Sequence, residues 1–111
     1  PYCQDGSLRV DCATVGGVLL PTYVRVFNAG LAGALPPSLG ELRSSLTYLD
    51  LPVNALTSIP TELGALTGLT YLGLGSNALT SPLPTELGAL TGLTYLGLDD
   101  NAITAVPTEL G

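Results

Sequence analysis

Leucine recurs at every second position in three short runs, Leu49 and Leu51, Leu72 and Leu74, Leu96 and Leu98, with aspartate or glycine between each pair and tyrosine before it. That alternation predicts short strands with one face buried and the other open. The runs belong to longer copies of one unit. LTYLDLPVNAL begins at Leu46, LTYLGLGSNAL at Leu69 and LTYLGLDDNAI at Leu93, and a looser copy, PTYVRVFNAGL, begins at Pro21. A unit of this length cannot bury its apolar side alone, so the copies must stack. Their strands then run in the same direction and form a parallel sheet with neighbours about 4.8 Å apart.

Asn54, Asn77 and Asn101 follow the strands at one position, where an amide side chain can satisfy backbone groups that neither sheet nor helix reaches. The first unit has Ala29 there and Asn28 one residue early, so its turn is expected to be built differently. The return half of each unit reads PTELGAL at Pro60 and Pro84, PTELG at Pro107 and PPSLGEL at Pro36. Proline suits the opening of a helical turn, a carboxylate favours its first residues, and glycine soon after permits a left-handed exit. One short helical or 3₁₀ turn per unit is predicted. Glu62, Glu86 and Glu109 form a solvated acidic column on it rather than a metal site.

The pattern L-x-x-L-x-L-x-x-N-x-L, repeated four times, resembles the leucine-rich repeat family. That resemblance implies an α/β repeat fold: a solenoid with a concave parallel β-sheet and short helical or 3₁₀ turns on the convex side. The expected organisation is a cysteine-containing N-terminal cap at 1–20 and four repeats at 21–45, 46–68, 69–92 and 93–111, the last truncated. The pattern stops inside a repeat, which points to a partner or further repeats covering the C-terminal end. The run CQDGSLRVDC followed by VRVFNAGLAGALPPSLGEL is similar to the start of a plant-type extracellular leucine-rich-repeat domain, and implies secretion or display at a cell surface.

Composition narrows the function. The chain of 111 residues is 46% hydrophobic and 11% charged, with a net charge of -6 and no histidine. Arg9, Arg25 and Arg43 are its only cations, so a nucleic-acid partner is disfavoured by charge. No apolar run is long enough to cross a bilayer, and the chain as given reads as soluble. Few groups suited to acid, base or metal chemistry are present, which argues for a non-enzyme with no cofactor, no catalytic residue and no metal site. Cys3 and Cys12 lie close together in the segment that does not repeat, which suits a local disulfide in an oxidising compartment; two free thiols is the alternative. In the family resemblance they match the cap pair.

The outward strand positions line the concave face, where a solenoid binds. One column is tyrosine throughout, Tyr23, Tyr48, Tyr71 and Tyr95. Beside it run Arg25, Asp50, Gly73 and Gly97, then Phe27, Pro52, Gly75 and Asp99, with Asn28, Val53, Ser76 and Asp100 at the margin. The tyrosines offer a strip for protein or sugar rings, and the glycines a shallow trough for a ligand backbone. Arg25 and Asp50 are cross-strand neighbours able to pair with each other, while Asp99 and Asp100 make the outer part acidic and suited to a basic ligand. Thr22, Thr47, Thr70 and Thr94 run alongside, a row with the spacing of an ice-binding surface that the tyrosines interrupt. The function expected is an extracellular interaction module binding a protein, peptide or glycan through Tyr23, Arg25, Phe27, Tyr48, Asp50, Tyr71, Tyr95, Asp99 and Asp100. The second expectation is a structural subunit whose repeats pack against partner subunits of an assembly.

Overall fold

A computed structural model describes residues 2–4, 8–15, 18–35, 37–43, 45–80 and 82–110, the side chains before Pro21 and that of Leu110 lying outside the description. The strands are β1 (Tyr2–Gln4), β2 (Leu8–Val15), β3 (Val18–Val26), β4 (Ala32–Ala34), β5 (Tyr48–Asp50), β6 (Ala55–Ser58), β7 (Tyr71–Gly73) and β8 (Tyr95–Gly97). Six of them form one sheet in the order β1-β2-β3-β5-β7-β8. The last four are parallel and in register, Tyr23 beside Tyr48, Tyr48 beside Tyr71 and Tyr71 beside Tyr95. The solenoid is therefore an α/β repeat whose parallel sheet carries one rung per sequence unit.

At the N-terminal edge β1 and β2 add antiparallel strands. β2 follows β3 from Val26 back to Val18, so the expected boundary between 20 and 21 falls inside one continuous strand. Cys3 is opposite Val10 and Cys12 opposite Pro21 in this pairing. Their side chains, and with them the expected bridge, lie outside the described residues.

Each strand leads back through a 3₁₀ turn, at Pro37–Leu42, Thr61–Ala65, Thr85–Ala89 and Thr108–Leu110. Pro60 and Pro84 enter in extended conformation, and their carbonyls accept bonds from the Leu63 and Leu87 amides at 3.1 and 3.2 Å. The glycines of these turns do not provide a left-handed exit: Gly30 and Gly33 are the glycines with positive φ among the described residues. They allow close approach instead. A Cβ on Gly40, Gly64 or Gly88 would lie 2.6, 2.5 or 2.7 Å from the carbonyl oxygen of Glu62, Glu86 or Glu109 in the next rung.

The asparagines tie each rung to the one before. Asn77 Nδ2 donates to the carbonyls of Leu74 and Gly75 in its own rung and of Leu51 in the preceding one, and its Oδ1 accepts from the Leu56 amide. Asn101 repeats the arrangement with Leu74, Leu98, Asp99 and Leu79, as Asn54 does with Val26, Leu51, Pro52 and Leu31. This explains why the first rung does without its own asparagine: the Ala29 and Leu31 amides both donate to Asn54 Oδ1. The turn there opens as in the other rungs and then differs, as expected: Gly30 has φ 73°, whereas Ala55, Ala78 and Ala102 at the same place have no positive φ. Asn28 has φ 50°, matching Val53, Ser76 and Asp100 at 55°, 54° and 53°, and its amide bonds the next rung as Val53 and Ser76 do.

The core is a column of leucines. Leu46, Leu49, Leu63, Leu66, Leu69, Leu72 and Leu74 are buried completely or nearly so, whereas Val24, Val26, Leu93, Leu96 and Leu98 in the outer rungs are half-buried against them. A second small sheet pairs β4 with β6 in parallel and continues as a bridge between Thr80 and Ala102. It was not visible in the leucine pattern, because the alanines, Gly33 and Ser58 in it are joined through backbone bonds such as Ala55 N to Leu31 O at 2.6 Å.

Candidate functional site

In-register strands bring the expected concave residues into three adjacent columns. The tyrosine rings lie nearly parallel, with centroids 4.2 Å apart for Tyr23 and Tyr48, 4.1 Å for Tyr48 and Tyr71, and 4.3 Å for Tyr71 and Tyr95. Interplanar angles are 6 to 10°. Stacking of this kind occupies ring faces, so the surface meets solvent with ring edges and hydroxyls. Tyr95 keeps an outer face and is 47% exposed. Burial in the stack pushes the Tyr48 phenol well above the ordinary tyrosine range, helped by hydroxyl bonds with Tyr71 and Tyr23 and by the Asp50 charge. Tyr71 is raised as well, by burial first and then by Asp50, against a bond from Tyr48 that lowers it.

Glycine gives the rings their room. A Cβ on Gly97 would stand 2.9 Å from the Tyr95 ring and one on Gly73 3.0 Å from the Tyr71 ring, so each tyrosine leans along its strand over the glycine two residues on. In the first two rungs the same column holds Arg25 and Asp50, which do pair: Arg25 Nε donates to Asp50 Oδ2 at 3.1 Å. Asp50 is 7% exposed and Arg25 is half-buried, which places this ion pair between a surface contact and a buried one. The Arg25 guanidinium also lies 5.3 Å from the centre of the Phe27 ring.

A trough of about 240 Å³ lies on the concave face, lined by Arg25, Tyr71, Tyr95, Ser76 and Asp99, with Gly73, Gly75 and Gly97 beneath the side chains that lean over them. Asp50 and Pro52 close one end. Asp100 stands apart from it, accepting a bond from Ser76 Oγ at 3.3 Å. Tyr23 and Phe27 lie on the first rung, outside this trough. The room that the sequence assigned to a ligand backbone over Gly73, Gly75 and Gly97 is taken instead by Asp50, Asp99 and the Tyr71 and Tyr95 rings, because side chains of neighbouring rungs lean across the glycines.

The neighbouring threonine row is committed to the backbone. Thr47, Thr70 and Thr94 donate through Oγ1 to the carbonyls of Thr22, Thr47 and Thr70 at 3.0 to 3.1 Å, which leaves no hydroxyl array of the ice-binding kind. On the convex side Thr61, Thr85 and Thr108 donate to the carboxylates of Glu62, Glu86 and Glu109. No group of three or more His, Cys, Asp or Glu able to hold a metal occurs among the described residues. No helix there is long and apolar enough to cross a membrane. A larger hollow of about 400 Å³ lies beside the last rung, lined by Leu87, Leu90, Leu93, Leu96 and Tyr95 among others.

Comparison with known proteins agrees with this architecture. The ectodomain of a plant membrane receptor kinase from Arabidopsis thaliana, solved with Casparian strip integrity factor 2, superposes with a TM-score of 0.74 at 35% identity over 80% of this chain and 11% of its own. A leucine-rich repeat protein of Leptospira interrogans gives 0.71 at 38% identity over 77% and 21% of the two chains. The Arabidopsis receptor kinase HAESA, solved with the peptide hormone IDA and a co-receptor, gives 0.66 at 32% identity over 72% and 14%. The chain spans 7% and 8% of the length of the curated relatives it matches. The family model described as "Leucine rich repeat" matches residues 44–103. With the rungs, the asparagine ladder and this match in agreement, the chain belongs to the leucine-rich repeat family.

Proposed function

We propose that this chain is a non-enzymatic interaction module, secreted or displayed at a cell surface, that binds a protein or peptide through its concave tyrosine-lined face. The observation that carries the reading is the trough on the concave face, lined by the Tyr71 and Tyr95 rings and by Ser76 and Asp99, where an aromatic strip with its hydroxyls lies beside polar groups able to meet a peptide. A peptide suits it better than a glycan: sugars pack on aromatic faces, and here the inner faces of the four stacked rings are spent on each other. The complex of the structurally similar HAESA with a peptide hormone supports the same ligand class. Residues 1–20 serve as the cap of the solenoid in this reading, with Cys3 and Cys12 bridged; alkylation followed by mass measurement tests the bridge, and two alkylated thiols without reduction would contradict it.

Selection of displayed random peptides on the immobilised chain tests the binding face. Selected peptides should lose about tenfold in affinity on Tyr95→Ala and none on the convex Glu86→Ala, as expected when an aromatic anchor is removed from a contact surface. The opposite ranking would move the site to the convex side. Packing against partner subunits is the second reading, favoured by the half-exposed Leu93 and Leu96 around the hollow beside Tyr95. A stable monomer in sedimentation at high concentration would count against it.

A further inference from the structure

The rim of the concave face repeats one backbone conformation in every rung. Asn28, Val53, Ser76 and Asp100 all leave their strands with φ between 50° and 55°. In this left-handed region the Cβ crowds the carbonyl that follows, a strain that short polar side chains relieve by bonding locally and β-branched ones do not. Three rungs accordingly hold a short polar residue. The second holds a valine, and its side chain is 41% exposed. Burial therefore does not compensate the strain at Val53, as it would for a valine in the core.

Val53 has apolar company. Phe27 on the preceding rung is 38% exposed, and Pro52, which is in register with Phe27, lies half-buried between them. A bond from the Asn28 amide to the Pro52 carbonyl at 3.3 Å joins the two rungs at this point. The Arg25 guanidinium lies 5.3 Å from the centre of the Phe27 ring and is paired with Asp50, so the patch has an apolar surface and a neutralised flank. Beyond it the rim turns polar at Ser76 and acidic at Asp100, on a chain whose net charge is -6.

Building on the concave-face reading, we propose that Phe27, Pro52 and Val53 form the anchor patch of that face, taking one aliphatic or aromatic side chain of a peptide ligand that is basic in its remaining contacts. The strain at Val53 locates the patch: a residue that costs the fold stability and gains nothing from burial is kept where its methyl groups meet a partner. Exposed phenylalanine and valine side by side offer the dry contact on which an apolar anchor depends. Charge complementarity sets the rest of the ligand, because an acidic peptide crossing the same rim would be repelled.

The probe is a display library of random heptapeptides selected on the intact chain. Selected peptides should carry net positive charge and share one aliphatic or aromatic residue, whose replacement by alanine weakens binding about tenfold. Val53→Asn installs the residue that Asn28 shows to suit this backbone; it should raise the thermal midpoint while weakening the same peptides about tenfold, a combination that a structural valine would not give. Phe27→Ala should weaken them as well, and the two substitutions together should cost less than the product of their separate effects, as parts of one contact. A lower midpoint in Val53→Asn, or selected peptides of acidic character, would overturn the patch. Peptides that lose affinity on Tyr95→Ala yet bind Val53→Asn and Phe27→Ala equally would also overturn it and leave the concave face standing. Peptides indifferent to all three substitutions, or a selection without any binder, would overturn both.

Discussion

On the convex side Gly40, Gly64 and Gly88 are pressed against the carbonyl of the next rung, whereas on the concave side Gly73 and Gly75 lie beneath carboxylate side chains. The residue type is the same, but the neighbour that excludes a Cβ differs. Backbone cannot move without pulling two rungs apart; a carboxylate can rotate. The convex glycines thus belong to the scaffold, and the concave ones shape a surface that is free to specialise.

Substitution to alanine separates the two. Gly64→Ala is expected to cost about 1 to 3 kcal/mol, since its Cβ meets the Glu86 carbonyl at 2.5 Å and its own Cβ at 2.9 Å, and the rungs must part. Chemical denaturation reads this directly, and a cost near zero would erase the distinction. Gly73→Ala falls between, about 1 kcal/mol, because the displaced Asp50 is buried and would lose Arg25. Gly75→Ala should stay within about 0.5 kcal/mol, as the exposed Asp99 swings aside.

The smallest effect is alkaline. Folding raises the Tyr48 and Tyr71 phenols, chiefly by burial, so the folded state binds protons that the unfolded chain releases near pH 10. Their contribution is fully present below that pH and fades as pH rises through the folded values. Absorbance titration should therefore show two tyrosines ionising late, with a falling thermal midpoint above about pH 10. All tyrosines titrating together near their ordinary value would contradict the stack.

Much of the scaffold was legible in the sequence, since Leu49, Leu72 and Leu96 or Asn54, Asn77 and Asn101 announce their roles by recurring where the backbone needs them. The turn glycines were read for the wrong reason. Sequence shows that Gly64 permits an unusual backbone or a close neighbour, and only the stacking of rungs decides between them. The second sheet was missed because Ala32–Ala34 and Ala55–Ser58 pair without an apolar alternation. Val53 occupies the left-handed position that Asn28 fills in the first rung, an unfavourable place for a β-branched residue that propensity alone would not assign to it. At the site, the tyrosine column was legible rung by rung, whereas the open trough expected over the glycines was not what formed. That rings would stack face to face, and that Asp50 and Asp99 would overhang one rung, depends on side-chain direction across strands and had no signature in the spacing.

The concave site is tested most directly by mapping backbone amide shifts in the nitrogen-labelled chain on addition of a selected heptapeptide. Glycines on the two sides report separately. Shifts are expected at Gly73, Gly75 and Gly97 with Gly40, Gly64 and Gly88 unmoved; shifts confined to the convex glycines would place the site on the other side.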